Sequence, residues 1–104
     1  VDDLARGCVF VMNLPRPAHD ACTGPLQSHI NVGHGRDISL AELASTVAGV
    51  VGYQGEIWFE HGPATGNTRK PLDSARLRAL GWSPKVSLQD GLLAAYKNHL
   101  ARWA

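Results

Sequence analysis

Residues 39–60 read SLAELASTVAGVVGYQGEIWFE, and whether their glycines begin a helix or end one decides the fold. Gly49, Gly52 and Gly55 have the spacing of a phosphate-cradling loop, which needs a strand before it and the free N–H groups of a helix start after it. The order here is the reverse. Ser39 and Glu42 form a capping box, and Leu40, Leu43, Ala44, Val47 and Val51 recur at helical spacing, which predicts a helix over 39–51 running into the glycines. EIWFE, residues 56–60, is β-branched and aromatic without a cap or a helical period, and predicts a strand. Gly52 is then a helix C-terminal residue with positive φ, and Gly55 a turn residue. The carbonyl end of a helix carries partial negative charge and repels phosphate, so these glycines predict no bound dinucleotide. Gly49, inside the helix, reads as a point of close packing at a cost of about 1 kcal/mol relative to alanine.

HINVG, residues 29–33, reads as a second short apolar strand ahead of that helix. Strand, helix, strand is the unit that makes two parallel neighbours by a right-handed crossover. The predicted fold class is therefore α/β: a single small lobe over residues 1–104, with a βαβ unit of two short parallel strands and additional packed helices. VDDLARGCVFVMNLP opens the chain as a helix, with Asp2 and Asp3 at its N-terminus, Leu4, Cys8, Val11 and Met12 on one face, and Pro15 as the stop. Val9 and Phe10 extend its apolar surface round the side, so a further partner is expected there: a second copy of the chain or a catalytic lobe. Residues 16–28, with their prolines and glycine, read as a loop. Asp73 opens a short helix, SARLRAL, that Gly81 ends. Ser87 and Asp90 open the last one, with Leu88, Leu92, Ala95, Tyr96, His99 and Trp103 on one face.

Composition narrows the function. A formal charge of +1 with scattered Lys and Arg gives no basic stripe, which argues against a nucleic-acid partner. The longest apolar run, CVFVM, is far too short to span a bilayer, and the acidic start shows no signal peptide, so the expected location is the cytoplasm, with no membrane partner. Cys8 and Cys22 form no C-x-x-C unit and read as reduced thiols. His29 and His34 have no second pair at ligand spacing, so no metal is expected. No Gly-x-Ser-x-Gly elbow points to a hydrolase. Trp58, Trp82 and Trp103 lie on separate elements and read as core or interface residues.

Residues 61–71, HGPATGNTRKP, carry the chemistry worth testing. Arg69 and Lys70 are adjacent cations on a Gly-rich loop between a predicted strand and a helix, where Arg could fork a pyrophosphate and Lys meet it as a point charge. The plainer reading is a pair of solvated loop charges, or an ion pair from Arg69 to Asp73. Asn67 could add a hydrogen bond, although a turn asparagine needs no such role.

The ordered set VDDLA, HINVGHGRDISLAELASTVAGVVGYQGEI and TRKPLDSARLRALGWSPKVSLQDGL resembles the C-terminal part of the GDP-L-fucose synthase family of extended short-chain dehydrogenases/reductases. The resemblance covers nearly the whole chain and is weakest from Arg16 to Gln27. It implies an enzyme that reduces and epimerises a GDP-4-keto-6-deoxymannose with NADPH, and a substrate contact at the position of Lys70. The family's dinucleotide fold, Ser-Tyr-Lys triad and epimerase Cys/His pair lie upstream of VDDLA. Neither Tyr53 nor Tyr96 has a lysine four residues on, and Cys8 and Cys22 fall outside the part bearing the catalytic cysteine. The implied role is thus a GDP-sugar-binding lobe, a fragment or truncated product with no catalytic residue and no cofactor site of its own, NADP belonging to the full-length family. The alternatives are the same lobe of another nucleotide-sugar epimerase/dehydratase, or a stand-alone binding or oligomerisation module. The loop departs from the family pattern at Pro63 and Thr65, where lysine and aspartate are usual, and His34 replaces a small hydroxyl residue, so the sugar is left open.

Overall fold

The computed structural model describes residues 1–60 and 72–103. Five helices follow in order: α1 Asp2–Met12, α2 Arg16–Cys22, α3 Leu40–Val51, α4 Ala75–Ala79 and α5 Leu88–Trp103. They fall into two compact units, Val1–Arg36 with Pro71–Val86, and Asp37–Lys70 with Ser87–Ala104. Among the described residues no helix is long and apolar enough to cross a membrane.

The first unit is built on α1, α2 and α4. Its core is Leu77, fully buried, with Trp82, Ser74 and the backbone of Gly7. These come together through the end of α4. Asp73 Oδ1 accepts from Ala75 N at 2.9 Å, starting the helix. Gly81, at φ +99, ends it. Gly81 N donates to Arg78 O at 2.9 Å and Trp82 N to Leu77 O at 3.2 Å, the paired bonds of a Schellman motif. That motif sets the residue after the glycine against the one five before it, and here they are Trp82 and Leu77, the two buried apolar side chains.

α1 buries a different stripe from the expected one. Gly7 is buried and Asp3, Phe10, Val11 and Leu14 are half-buried, at helical spacing, whereas Leu4, Cys8, Val9 and Met12 are exposed. The reason is at Gly7, where a Cβ would lie 3.0 Å from Val32 Cγ1 and 3.5 Å from the Trp82 ring. A residue without a side chain adds nothing to an apolar pattern, yet it lets the indole and the valine approach the helix backbone.

Residues 16–28, expected as a loop, contain α2. Pro17 lies in its first turn, where a missing N–H costs no hydrogen bond. Arg16 Nε meets Asp20 Oδ2 at 3.0 Å one turn on, and Thr23 Oγ1 donates back to His19 O at 2.9 Å. Of the two prolines that suggested a loop, Pro17 sits in a helix start and Pro25 lies beyond the helix end.

The α/β class with its βαβ unit is also corrected: the described residues hold helices and no β-strand, only one isolated antiparallel bridge between Gly24 and Gln27. A strand exists through a ladder partner for its N–H and C=O groups, and neither 29–33 nor 56–60 has one among the described residues. Side chains hold the first stretch instead: Asn31 Nδ2 donates to Asp73 O at 3.2 Å and Arg78 Nη2 to His34 O at 2.9 Å, while Arg76 Nη2 reaches Gln27 Oε1 just upstream. Residues 56–60 are exposed throughout, and Trp58 Nε1 bonds only locally, to Glu56 Oε2 at 3.2 Å. Trp58 and Trp103 are therefore surface residues, and of the three tryptophans only Trp82 is in a core.

In the second unit α3 packs on α5. The capping box of α3 forms as the sequence predicts: Glu42 N donates to Ser39 Oγ at 3.2 Å and Ser39 N to Glu42 Oε2 at 2.7 Å. Gly52 ends the helix at φ +73. Ser87 opens α5, its hydroxyl accepting from Asp90 N at 3.1 Å and donating to Asp90 Oδ2 at 2.6 Å. Of the face predicted for α5, Leu92 and Tyr96 are half-buried, whereas Leu88, Ala95, His99 and Trp103 are exposed. Gly49 is not a point of close packing: it is exposed, and apart from its chain neighbours and its own helix's backbone no described atom lies within 4 Å of where its Cβ would be.

Candidate functional site

Asn67, Arg69 and Lys70, the residues proposed from sequence to meet a ligand, lie outside the described residues. Their downstream flank, Leu72 and Asp73, belongs to the first unit. Asp73 is fixed there by its carboxylate, which caps α4, and by its carbonyl, which accepts from Asn31. Leu72 lies against Gly33, where an added Cβ would stand 3.0 Å from Leu72 Cβ. Sequence reasoning passed over both Asn31 and Gly33, because as part of HINVG they read as strand residues.

An open concavity of about 870 Å³ lies at the end of α2, lined by residues including Cys22, Thr23, Gln27 and Arg76. Its polar groups are occupied: Arg76 holds Gln27 Oε1, and the Cys22 thiol donates to His19 O at 3.2 Å. Asp20, beside it on α2, has its carboxyl held below the usual range by the His19 ring at 3.3 Å and then by Arg16. Thr23 Oγ1 lies 3.5 Å from His19 Nδ1 but donates its hydrogen to His19 O at 2.9 Å, so the groove is not read as a reaction centre. Among the described residues no three His, Cys, Asp or Glu side chains gather as a metal set.

The first unit's strongest electrostatic feature is Asp3. Its carboxylate accepts from Val86 N at 2.8 Å and Lys85 N at 3.0 Å, and pairs with Arg6. These bonds, that from Val86 above all and next the one from Arg6, hold its pKa at about 2 against an ordinary 3.8. A depressed folded-state value means that the carboxylate's contribution is fully present above pH 3.8 and is lost as pH falls toward about 2. Wild type should therefore unfold at higher temperature than Asp3→Asn at neutral pH, with the gap closing across that window; a gap unchanged down to pH 2 would show that the charge is not what holds Lys85 and Val86.

No family model matches the chain. It is 44% identical over 97 residues to GDP-L-fucose synthase of Escherichia coli K12, covering 93% of this chain and 30% of that protein. To GDP-L-fucose synthase 1 of Arabidopsis thaliana it is 41% identical over 100 residues, covering 96% of this chain and 28% of the relative. Among solved structures it is similar to a GDP-6-OMe-4-keto-L-xylo-heptose reductase of Campylobacter jejuni, with a TM-score of 0.83 and 29% identity over 97% of this chain and 29% of that one. MlghC, a GDP-mannoheptose C4 reductase of the same organism solved with NADP bound, gives a TM-score of 0.77 and 31% identity over 95% of this chain and 29% of its own. The chain spans less than a third of the length of these proteins. Over that span, the chain is homologous to a C-terminal part, about 100 residues long, of GDP-L-fucose synthase and related GDP-sugar reductases of the extended short-chain dehydrogenase/reductase family.

Proposed function

We propose that these residues form a GDP-sugar-binding part of a fucose-synthase-like reductase/epimerase and perform no hydride transfer of their own. The observation that carries the proposal is the 44% identity over 97 residues to an enzyme of that name. Lys70 meets the pyrophosphate as a point charge, with Arg69 and Asn67 beside it in sequence to add hydrogen bonds. One cationic pair grips only part of such a ligand, so affinity for GDP is about millimolar, ~4 kcal/mol. The contact is with phosphate rather than sugar, so GDP and GDP-mannose bind alike and both weaken as salt rises.

Titration of isotope-labelled protein with GDP, followed by NMR, tests this. Saturable shifts at the Gly66, Asn67, Arg69 and Lys70 amides, lost in Lys70→Ala, are expected. Shifts centred on another surface, or none, would refute the assignment. With NADPH and a GDP-4-keto sugar the absorbance of reduced nicotinamide should stay at the no-protein rate, since neither Tyr53 nor Tyr96 has a lysine four residues on to complete a reductase triad.

A further inference from the structure

We propose that the groove at the end of α2 is a binding site for a small organic monocarboxylate with an apolar tail. The groove lies wholly within the first unit, and its volume of about 870 Å³ is in the range of small-ligand sites. Its one charged lining residue is Arg76, on α4 beside the buried Leu77. Arg76 is half-buried, and its guanidinium meets the neutral side-chain oxygen of Gln27. Among the described residues the ion pairs are Arg6 with Asp3, and Asp20 with Arg16 and His19, so none neutralises Arg76. A guanidinium keeps its full charge and has N–H donors to spare beyond the one that Gln27 takes, in the fork that a carboxylate accepts through parallel bonds. Gln27 is itself held, exchanging backbone hydrogen bonds with Gly24 at 3.0 and 3.2 Å, so the guanidinium is aimed before a ligand arrives. The Thr23 hydroxyl and the Cys22 thiol already donate to His19 O, at 2.9 and 3.2 Å, which leaves an anion to Arg76. One guanidinium balances one negative charge, and Asp20, next to Ala21 on α2, adds negative charge to that flank, so a monocarboxylate is favoured over a phosphate dianion. Ala21, Pro25 and Leu26 supply apolar lining, the leucine 98% exposed. A lone exposed leucine is ordinary. Here it shares a concavity with a cation that no carboxylate neutralises, and an alkyl or aryl tail laid on it removes apolar area from water.

NMR titration of the labelled chain with phenylacetate tests this. Saturable shifts centred on the backbone N–H signals of Thr23, Gly24, Leu26, Gln27 and Arg76 are expected, with a dissociation constant of about millimolar for one ion pair and a partly covered ring. Phenylacetamide, of the same shape without the charge, should bind at least about tenfold more weakly, the worth of a hydrogen bond to a charged group. Arg76→Gln should weaken phenylacetate to the level of phenylacetamide and leave phenylacetamide unchanged. Leu26→Ser should weaken phenylacetate but not acetate, which has no ring to lay on the leucine. Equal binding of acid and amide, shifts centred on another surface, or no shifts at all overturns the proposal. Should Arg76→Gln disturb α4, the comparison of acid with amide on the unaltered chain decides the question.

Discussion

Leu77→Ala is expected to remove ~2–5 kcal/mol of stability, a large share of what a domain of this size commonly has in total. Leu77 is the one fully buried large side chain among the described residues, and Trp82 is its buried apolar companion. Truncation deletes the transfer free energy of three carbons and leaves a space beside an indole that the Schellman motif holds in place, so collapse cannot fill it. The loss should appear as a lower urea midpoint without a change in slope. Leu77→Met, which nearly conserves volume, should cost under ~1.5 kcal/mol. If Leu77→Ala and Leu77→Met unfold at the same urea concentration, the core does not depend on packing at this position.

Gly81→Val should have the second largest effect, ~1–3 kcal/mol. At φ +99 the backbone is in a region that a β-branched residue enters only under strain. Nothing within 4 Å would clash with an added Cβ, so the cost is conformational rather than steric crowding by neighbours. Relief of that strain would break the bonds from Gly81 N to Arg78 O and Trp82 N to Leu77 O, and would loosen Trp82 from the core. Near-ultraviolet circular dichroism, sensitive to the tryptophan's surroundings, should lose intensity in Gly81→Val well before α3 and α5 melt. Gly49→Val makes the contrast: Gly49 is equally open but lies inside a helix without a positive φ, and valine has the better helix propensity, so the change should be neutral or slightly stabilising. Equal effects at the two glycines would rule out backbone strain as the cause.

The helix ends were legible because each is decided within a few residues. Ser39 with Glu42, Ser87 with Asp90, and Asp73 with Ala75 close their bonds across two or three positions, and Gly52 and Gly81 supply the positive φ that stops a helix. α2 was hidden by Pro17, since the same residue type that punctuates a loop is tolerated in a first turn. The strands over 29–33 and 56–60 were misread because apolar, β-branched composition states a preference, whereas a strand requires a partner that composition cannot name. Of the candidate site, Asn67, Arg69 and Lys70 stood out as polar and cationic residues in a Gly-rich loop. The pinning of Asp73 by Asn31 could not stand out, being a contact between segments 42 residues apart.

By itself, then, the sequence determined where α1, α3, α4 and α5 lie, how the last three are capped, and which enzymes the chain is related to, all of which rest on residues close together or on their order. Tertiary structure alone decided that α1 turns Gly7 rather than Leu4 inward, that Asp3 gives its carboxylate to the N–H groups of Lys85 and Val86, and that the 29–34 stretch is held by Asn31 and Arg78 instead of a ladder. Asp3 reaches groups up to 83 positions away. A backbone group left without a partner by its own segment takes whichever donor or acceptor the packed chain brings near, and that neighbour is fixed by packing rather than by local pattern.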